Sequence, residues 1–156
     1  MKKIIIFLLI TVALIPAVSF AQKNKTKIKS AKILKPVLNI SLGGMLDSSQ
    51  ITVADALKII GLPLQINDTK KALYPVSSYQ FMYIKKGVTE DEQNGKVTPI
   101  TSNVSATFKQ SPLSAIWIKT IYEQVKAGEE LFFFDIIVKD AKGKLFYAPN
   151  LRLLVR

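Results

Sequence analysis

The sequence predicts a strand-dominated α+β domain, an antiparallel sheet or β-sandwich with two short packed helices. Three observations carry this. Residues 79–86 and 130–138 are dense in aromatic and branched apolar residues over strand-like lengths. Residues 53–60 and 113–125 repeat apolar residues at helical spacing. Glycines, prolines and an Asn-Gly pair separate these segments at short intervals.

In chain order, Leu38, Ile40 and Leu42 alternate with Asn39 and Ser41 as in a half-buried strand, which Gly43-Gly44 ends. Thr52 with Asp55 three residues on is a variant capping box, and Val53, Ala56, Leu57 and Ile60 then share a helix face until Gly61 and Pro63 stop it. Tyr79, Phe81 and Tyr83 alternate with Gln80, Met82 and Ile84 in a strand running to Lys86. A polar loop over residues 87–95 holds Glu90-Asp91-Glu92 and the turn pair Asn94-Gly95. Residues 97–108 return beside that strand as a hairpin, with Pro99 near the start or at an edge.

Ser111-Pro112 reads as a cap followed by proline at the first helical position. Leu113, Ile116, Trp117, Ile121 and Val125 form the apolar face of this helix, Lys119, Glu123 and Lys126 face outward, and Gly128 closes it. Residues 130–138 divide into one face of Phe132, Phe134, Ile136 and Val138 and another of Leu131, Phe133, Asp135 and Ile137. A strand so apolar on both faces belongs in the middle of a sheet. Asp140-Ala141-Lys142-Gly143 turns the chain, and residues 144–148 and 151–155 return, with a bulge or bend at Pro149 and Asn150.

Residues 1–21 read as a signal peptide: Lys2 and Lys3, an apolar run from Ile4 to Val18, then Ser19-Phe20-Ala21 before polar residues. The run of about 15 residues falls short of the ~20 that cross a bilayer, and Pro16 interrupts it. Cleavage would leave a soluble exported protein, with a basic extended leader over residues 22–35 and one domain over residues 36–156. The chain contains no cysteine, so packing and hydrogen bonds alone must hold it, which suits a bacterial source.

The net charge of +11 is unevenly placed. Residues 22–35 hold six lysines and no acid, whereas residues 36–156 carry 14 basic and 11 acidic side chains. Lys23, Lys25, Lys27 and Lys29 repel one another and favour an extended arm, which an anionic membrane or lipopolysaccharide surface would attract. Nucleic acid is not expected as a partner, because the chain is exported and lacks zinc-finger or aromatic-basic RNA motifs.

The chain has no histidine, which excludes imidazole metal sites, Ser-His-Asp triads and Cys-His pairs. It has no phosphate-binding glycine loop, and no cofactor or metal is expected. Glu90-x-Glu92-x-Asn94-Gly95 is a poor calcium loop, with Thr101 where a bidentate glutamate belongs. Asp135, inside the most apolar strand, requires a partner or a solvent-reaching rim, and Arg152 is a candidate partner. Trp117 reads as core. Tyr79, Phe81 and Tyr83 read first as core and, if their face is open, as a carbohydrate- or lipid-binding platform.

Ile40-Ser41-Leu42-Gly43-Gly44, the short helix ending at Gly61, the strand around residues 78–84, and the ending carry a family resemblance. That ending is Ala127-Gly128-Glu129-Glu130, Phe134-Asp135-Ile136, Asp140-Ala141-Lys142-Gly143 and Leu151-Arg152-Leu153. Across residues 37–156 this order resembles the C-terminal domain family of the gliding-motility protein GldM. The resemblance implies a strand-rich, non-enzymatic module at the periplasm or cell surface, accessory to gliding motility or type IX secretion and binding other envelope proteins. It supplies no catalytic residues. A signal peptide in place of a transmembrane helix implies docking without a motor link to the inner membrane.

Overall fold

Leu38, Ile40 and Leu42 are buried in β1 (Leu38–Leu42), while Asn39 and Ser41 are not. This follows from a computed structural model that describes residues 35–156. The signal segment and the lysines at 23, 25, 27 and 29 lie outside the described residues. The partner of β1 is β3 (Leu64–Asp68), antiparallel with Ile40 opposite Ile66. The sequence pattern does not announce β3, whose end carries the turn-forming Asn67 and Asp68.

Between these strands the chain makes a short strand and a helix. Gly43 turns with φ +56°, and a Cβ there would lie 2.5 Å from Ile59 Cγ2, so both the backbone conformation and the packing of the helix demand glycine. After β2 (Ser49–Ile51), α1 (Val53–Ile59) begins at the expected cap: the Thr52 hydroxyl accepts from Asp55 N at 3.1 Å and donates to Asp55 Oδ2 at 2.7 Å.

The hairpin of β4 (Val76–Glu90) and β5 (Val97–Phe108) is longer than the sequence suggested. Residues 87–90 continue β4, and the loop shrinks to residues 91–96. Asp91 organises it: its carboxylate accepts from Gln93 N and Asn94 Nδ2, both at 2.9 Å, and its carbonyl accepts from Gly95 N at 2.8 Å. Tyr79 lies opposite Phe108, Tyr83 opposite Val104 and Gly87 opposite Ile100.

The second helix, α2 (Ala115–Gln124), starts later than Ser111-Pro112 implied. Ser114 holds the cap position, the Ser111–Pro112 peptide is cis, and Ser111 Oγ accepts from Leu64 N at 2.8 Å, tying this loop to β3. Leu113 is buried ahead of the helix.

The remaining strands are β6 (Glu130–Lys139), β7 (Leu145–Tyr147) and β8 (Leu151–Val155). The main sheet has the order β2-β8-β6-β4-β5, with β7 also on β6. It is antiparallel except for the parallel pair β2–β8. Strand β6 is central, as its two apolar faces required. Its alternation changes phase, however: Leu131, Phe133, Ile136 and Val138 are buried together. Asp135, at φ +49°, is the extra residue of a bulge opposite the segment between Ser78 and Gln80. That shift corrects the two faces expected from strict alternation. β7 and β8 meet β6 on either side of this bulge, and Pro149 and Asn150 bridge the break.

The inward side chains of both sheets and both helices form one core, with Phe81, Tyr83, Leu131, Ile136, Leu151 and Leu153 among its fully buried members. Each large apolar side chain so buried is worth about 1.5–3 kcal/mol relative to exposure. The fold is thus strand-dominated α+β.

Candidate functional site

Tyr79, Phe81 and Tyr83 are each no more than 1% exposed, so they cannot serve as a carbohydrate- or lipid-binding platform. The physical reason is the cover that α2 and the hairpin provide. Phe81 meets Trp117 edge-on at 5.5 Å and Phe133 at 4.8 Å, and Tyr79 stacks on Phe108 at 5.3 Å.

Burial leaves two hydroxyls inside the protein, with opposite outcomes. The Tyr83 hydroxyl donates to Glu129 Oε2, which also accepts from Lys126 N at 2.9 Å. Glu129 is 4% exposed, the one buried ionisable acid among the described residues. Burial, and then the Glu129 carboxyl, push the Tyr83 pKa well above its ordinary value. The Tyr79 hydroxyl has no partner among the described residues, and burial alone raises its pKa. In the sequence Glu129 stands out only as a member of the segment Ala127-Gly128-Glu129-Glu130. Buried tyrosine hydroxyls mostly find an acceptor, as Tyr83 does and Tyr79 does not, so the alternation in this strand signals a need for a buried acceptor without locating Glu129.

Asp135 sits at a solvent-reaching bulge and accepts from Gln80 Nε2 at 2.8 Å. Arg152 is not its partner. Arg152 reaches Glu130 at 3.6 Å, as Lys86 does at 3.0 Å, and its guanidinium lies 4.5 Å from the centre of the Phe132 ring. Phe132 stacks on Phe134 at 5.0 Å on the sheet face opposite the core.

The surface that stands out lies between α2 and the distal hairpin. Two adjoining hollows occupy it. The first, about 320 Å³, is lined by Val104, Ile116, Trp117 and Thr120; the second, about 360 Å³, by Lys86, Ile100, Ser102, Glu123, Lys126 and Glu129. Lys85 and Gln124 line both, and the Lys85 ammonium donates to Gln124 Oε1 across the divide. Ile116 is 72% exposed, a correction to its expected place in the core, and Trp117 is only partly buried. The reason is helix geometry: α2 begins only at Ala115, and at about 100° per residue Ile116 is turned about 100° from Trp117 and about 140° from the fully buried Ile121, away from the face that packs on the sheet. Val88, Val97, Ile100 and Val104 on the hairpin are also exposed.

This arrangement suits binding: an apolar end beside a mixed-charge end, both open. Glu129 is engaged by Tyr83 and Lys126, and no group of three acids that could hold a metal occurs among the described residues. No helix among them is long and apolar enough to cross a membrane. No family model matches the chain, and no curated protein matches it.

Proposed function

We propose that this chain is a non-enzymatic protein-binding module of the bacterial envelope, an accessory of gliding motility or type IX secretion, that docks partners through the groove between α2 and the β4–β5 hairpin. The observation that carries the binding part is the clustering of Ile116, Trp117, Val104 and Ile100 beside Lys85, Lys86 and Glu123. Exposed apolar side chains gathered along one groove and rimmed by charge are what a protein interface requires. The envelope setting rests on the leader-like residues 1–21 and on the GldM-like order of the ending.

Three of the four segments of that ending have a visible structural task. Gly128, at φ +90°, lets the chain turn after α2, and its N–H reaches Val155 O at 2.8 Å. Asp135 makes the bulge, and Asp140 Oδ1 accepts from Lys142 N and Lys144 N at 2.8 Å to close the β6–β7 turn. These residues build the module, whereas the groove supplies its contacts. The experiment is capture from envelope extract by wild type, by Ile116→Glu and by a control, Tyr147→Glu, at an exposed site on β7. The proposal expects a specific partner retained by wild type and the control and lost by Ile116→Glu. Equal capture by all three folded proteins would remove the groove from the account.

A further inference from the structure

We infer that β5 is the pairing edge of a symmetric dimer, in which the β5 strands of two copies run antiparallel and join their main sheets into one. β5 is the terminal strand of the sheet and is paired on one side only, by β4, among the described residues. A long edge strand exposes a row of unpaired backbone groups, and proteins that stay single usually blunt it with charge, a bulge or shortness. β5 runs from Val97 to Phe108 without one charged residue, in a chain of net charge +11. Two copies that repel elsewhere therefore meet no like charge along this strand.

Residue order favours a copy of the same strand as the occupant. Through the pairing with Tyr79, Phe81 and Tyr83, the side chains of Phe108, Ala106, Val104, Ser102 and Ile100 share the groove-side face. A two-fold axis at Val104 sets Val104 against itself, Ile100 against Phe108 and Ser102 against Ala106. On the other face it sets Thr101 against Thr107 and Asn103 against Ser105. Val104 then meets Val104 and Ile100 meets Phe108, with the small Ser102 and Ala106 between them, and on the other face hydroxyl and amide groups meet each other, cross-strand combinations that stabilise sheets. The pairing ends at Ile100, one residue short of Pro99, which has no N–H to contribute. The dimer would bring the two grooves to either side of the axis, so this inference extends the proposed binding role without depending on it.

The full chain tests this by sedimentation velocity over a range of concentrations. Wild type is expected to move from monomer mass toward twice that mass. Thr101→Lys with Thr107→Lys places lysines opposite one another about 5 Å apart at Cβ on the face away from the groove; it is expected to stay monomeric and to melt where wild type melts at concentrations too low for it to dimerise. Thr101→Glu with Thr107→Glu should also be monomeric, and mixing the lysine and glutamate proteins should restore the dimer. As a second variant that keeps the strand neutral, Val104→Cys should cross-link to itself on mild oxidation, whereas Val88→Cys, outside the paired span, should not. Wild type monomeric at every concentration would overturn the inference. It would then point to another occupant of the edge, such as a partner's strand or residues 1–34 of the same chain. A dimer indifferent to the lysine pair would overturn it too.

Discussion

The Tyr83 hydroxyl donates to the buried carboxyl group of Glu129, joining the middle of β4 to the turn that follows α2. Tyr83→Phe removes the donor and leaves that acceptor with Lys126 N alone on Oε2. The expected cost is about 1–3 kcal/mol, the penalty for stranding a buried polar group. Tyr79→Phe has the opposite sign, because the hydroxyl it removes has no partner among the described residues. It is expected to stabilise by about 1 kcal/mol. Urea unfolding of the two variants beside wild type reads the contrast, and equal effects would contradict it.

Alkaline pH acts on the same two tyrosines. Their folded pKa values are raised by burial above the ordinary 10.0. Below about 10 both the folded and unfolded chains keep these protons, and the stabilisation is complete. As pH rises from there toward the higher folded values, the unfolded chain loses protons that the folded chain retains, so stability falls. Melting between about pH 8 and 12 should show this decline. The double variant Tyr79→Phe with Tyr83→Phe should decline less steeply. An identical slope in both proteins would contradict the prediction.

Two backbone positions separate conformational strain from packing. At Gly43 an alanine incurs both the left-handed penalty and the clash with Ile59, an expected loss of about 2–4 kcal/mol. At Asp135 the conformation dominates, since the side chain is exposed and its hydrogen bond from Gln80 lies at the surface. Asp135→Gly should change stability by no more than about 0.5 kcal/mol and Asp135→Val should cost about 1–2 kcal/mol. Thermal or urea melts of the three variants give the order directly.

Much of the fold was legible because local pattern and tertiary environment agree: the Thr52–Asp55 cap, the alternation of β1, and the central place of β6. Residues 64–67 alternate too, but Leu64 and Ile66 are their only apolar positions, and Gly61 and Pro63 before them and Asn67 with Asp68 at the strand's own end read as turns, which concealed a short strand. Strict alternation misassigned half of β6 because one residue in a left-handed conformation, Asp135, shifts the phase, and aspartate does not announce that conformation as glycine would. The groove was hidden for a different reason. A helix read from Pro112 groups Ile116 with Leu113, yet α2 begins at Ala115 and is placed with Trp117 and Ile121 toward the sheet, which turns Ile116 outward. The same placement buries Tyr79, Phe81 and Tyr83, which by sequence alone could equally have faced outward.

The binding role of the groove is tested most directly by a photo-crosslinking amino acid placed at residue 116 in the full chain in living cells, with residue 147 as the control. A discrete adduct with another envelope protein is expected from position 116 and none from position 147. Absence of an adduct at 116, or the same adducts from both positions, would contradict it.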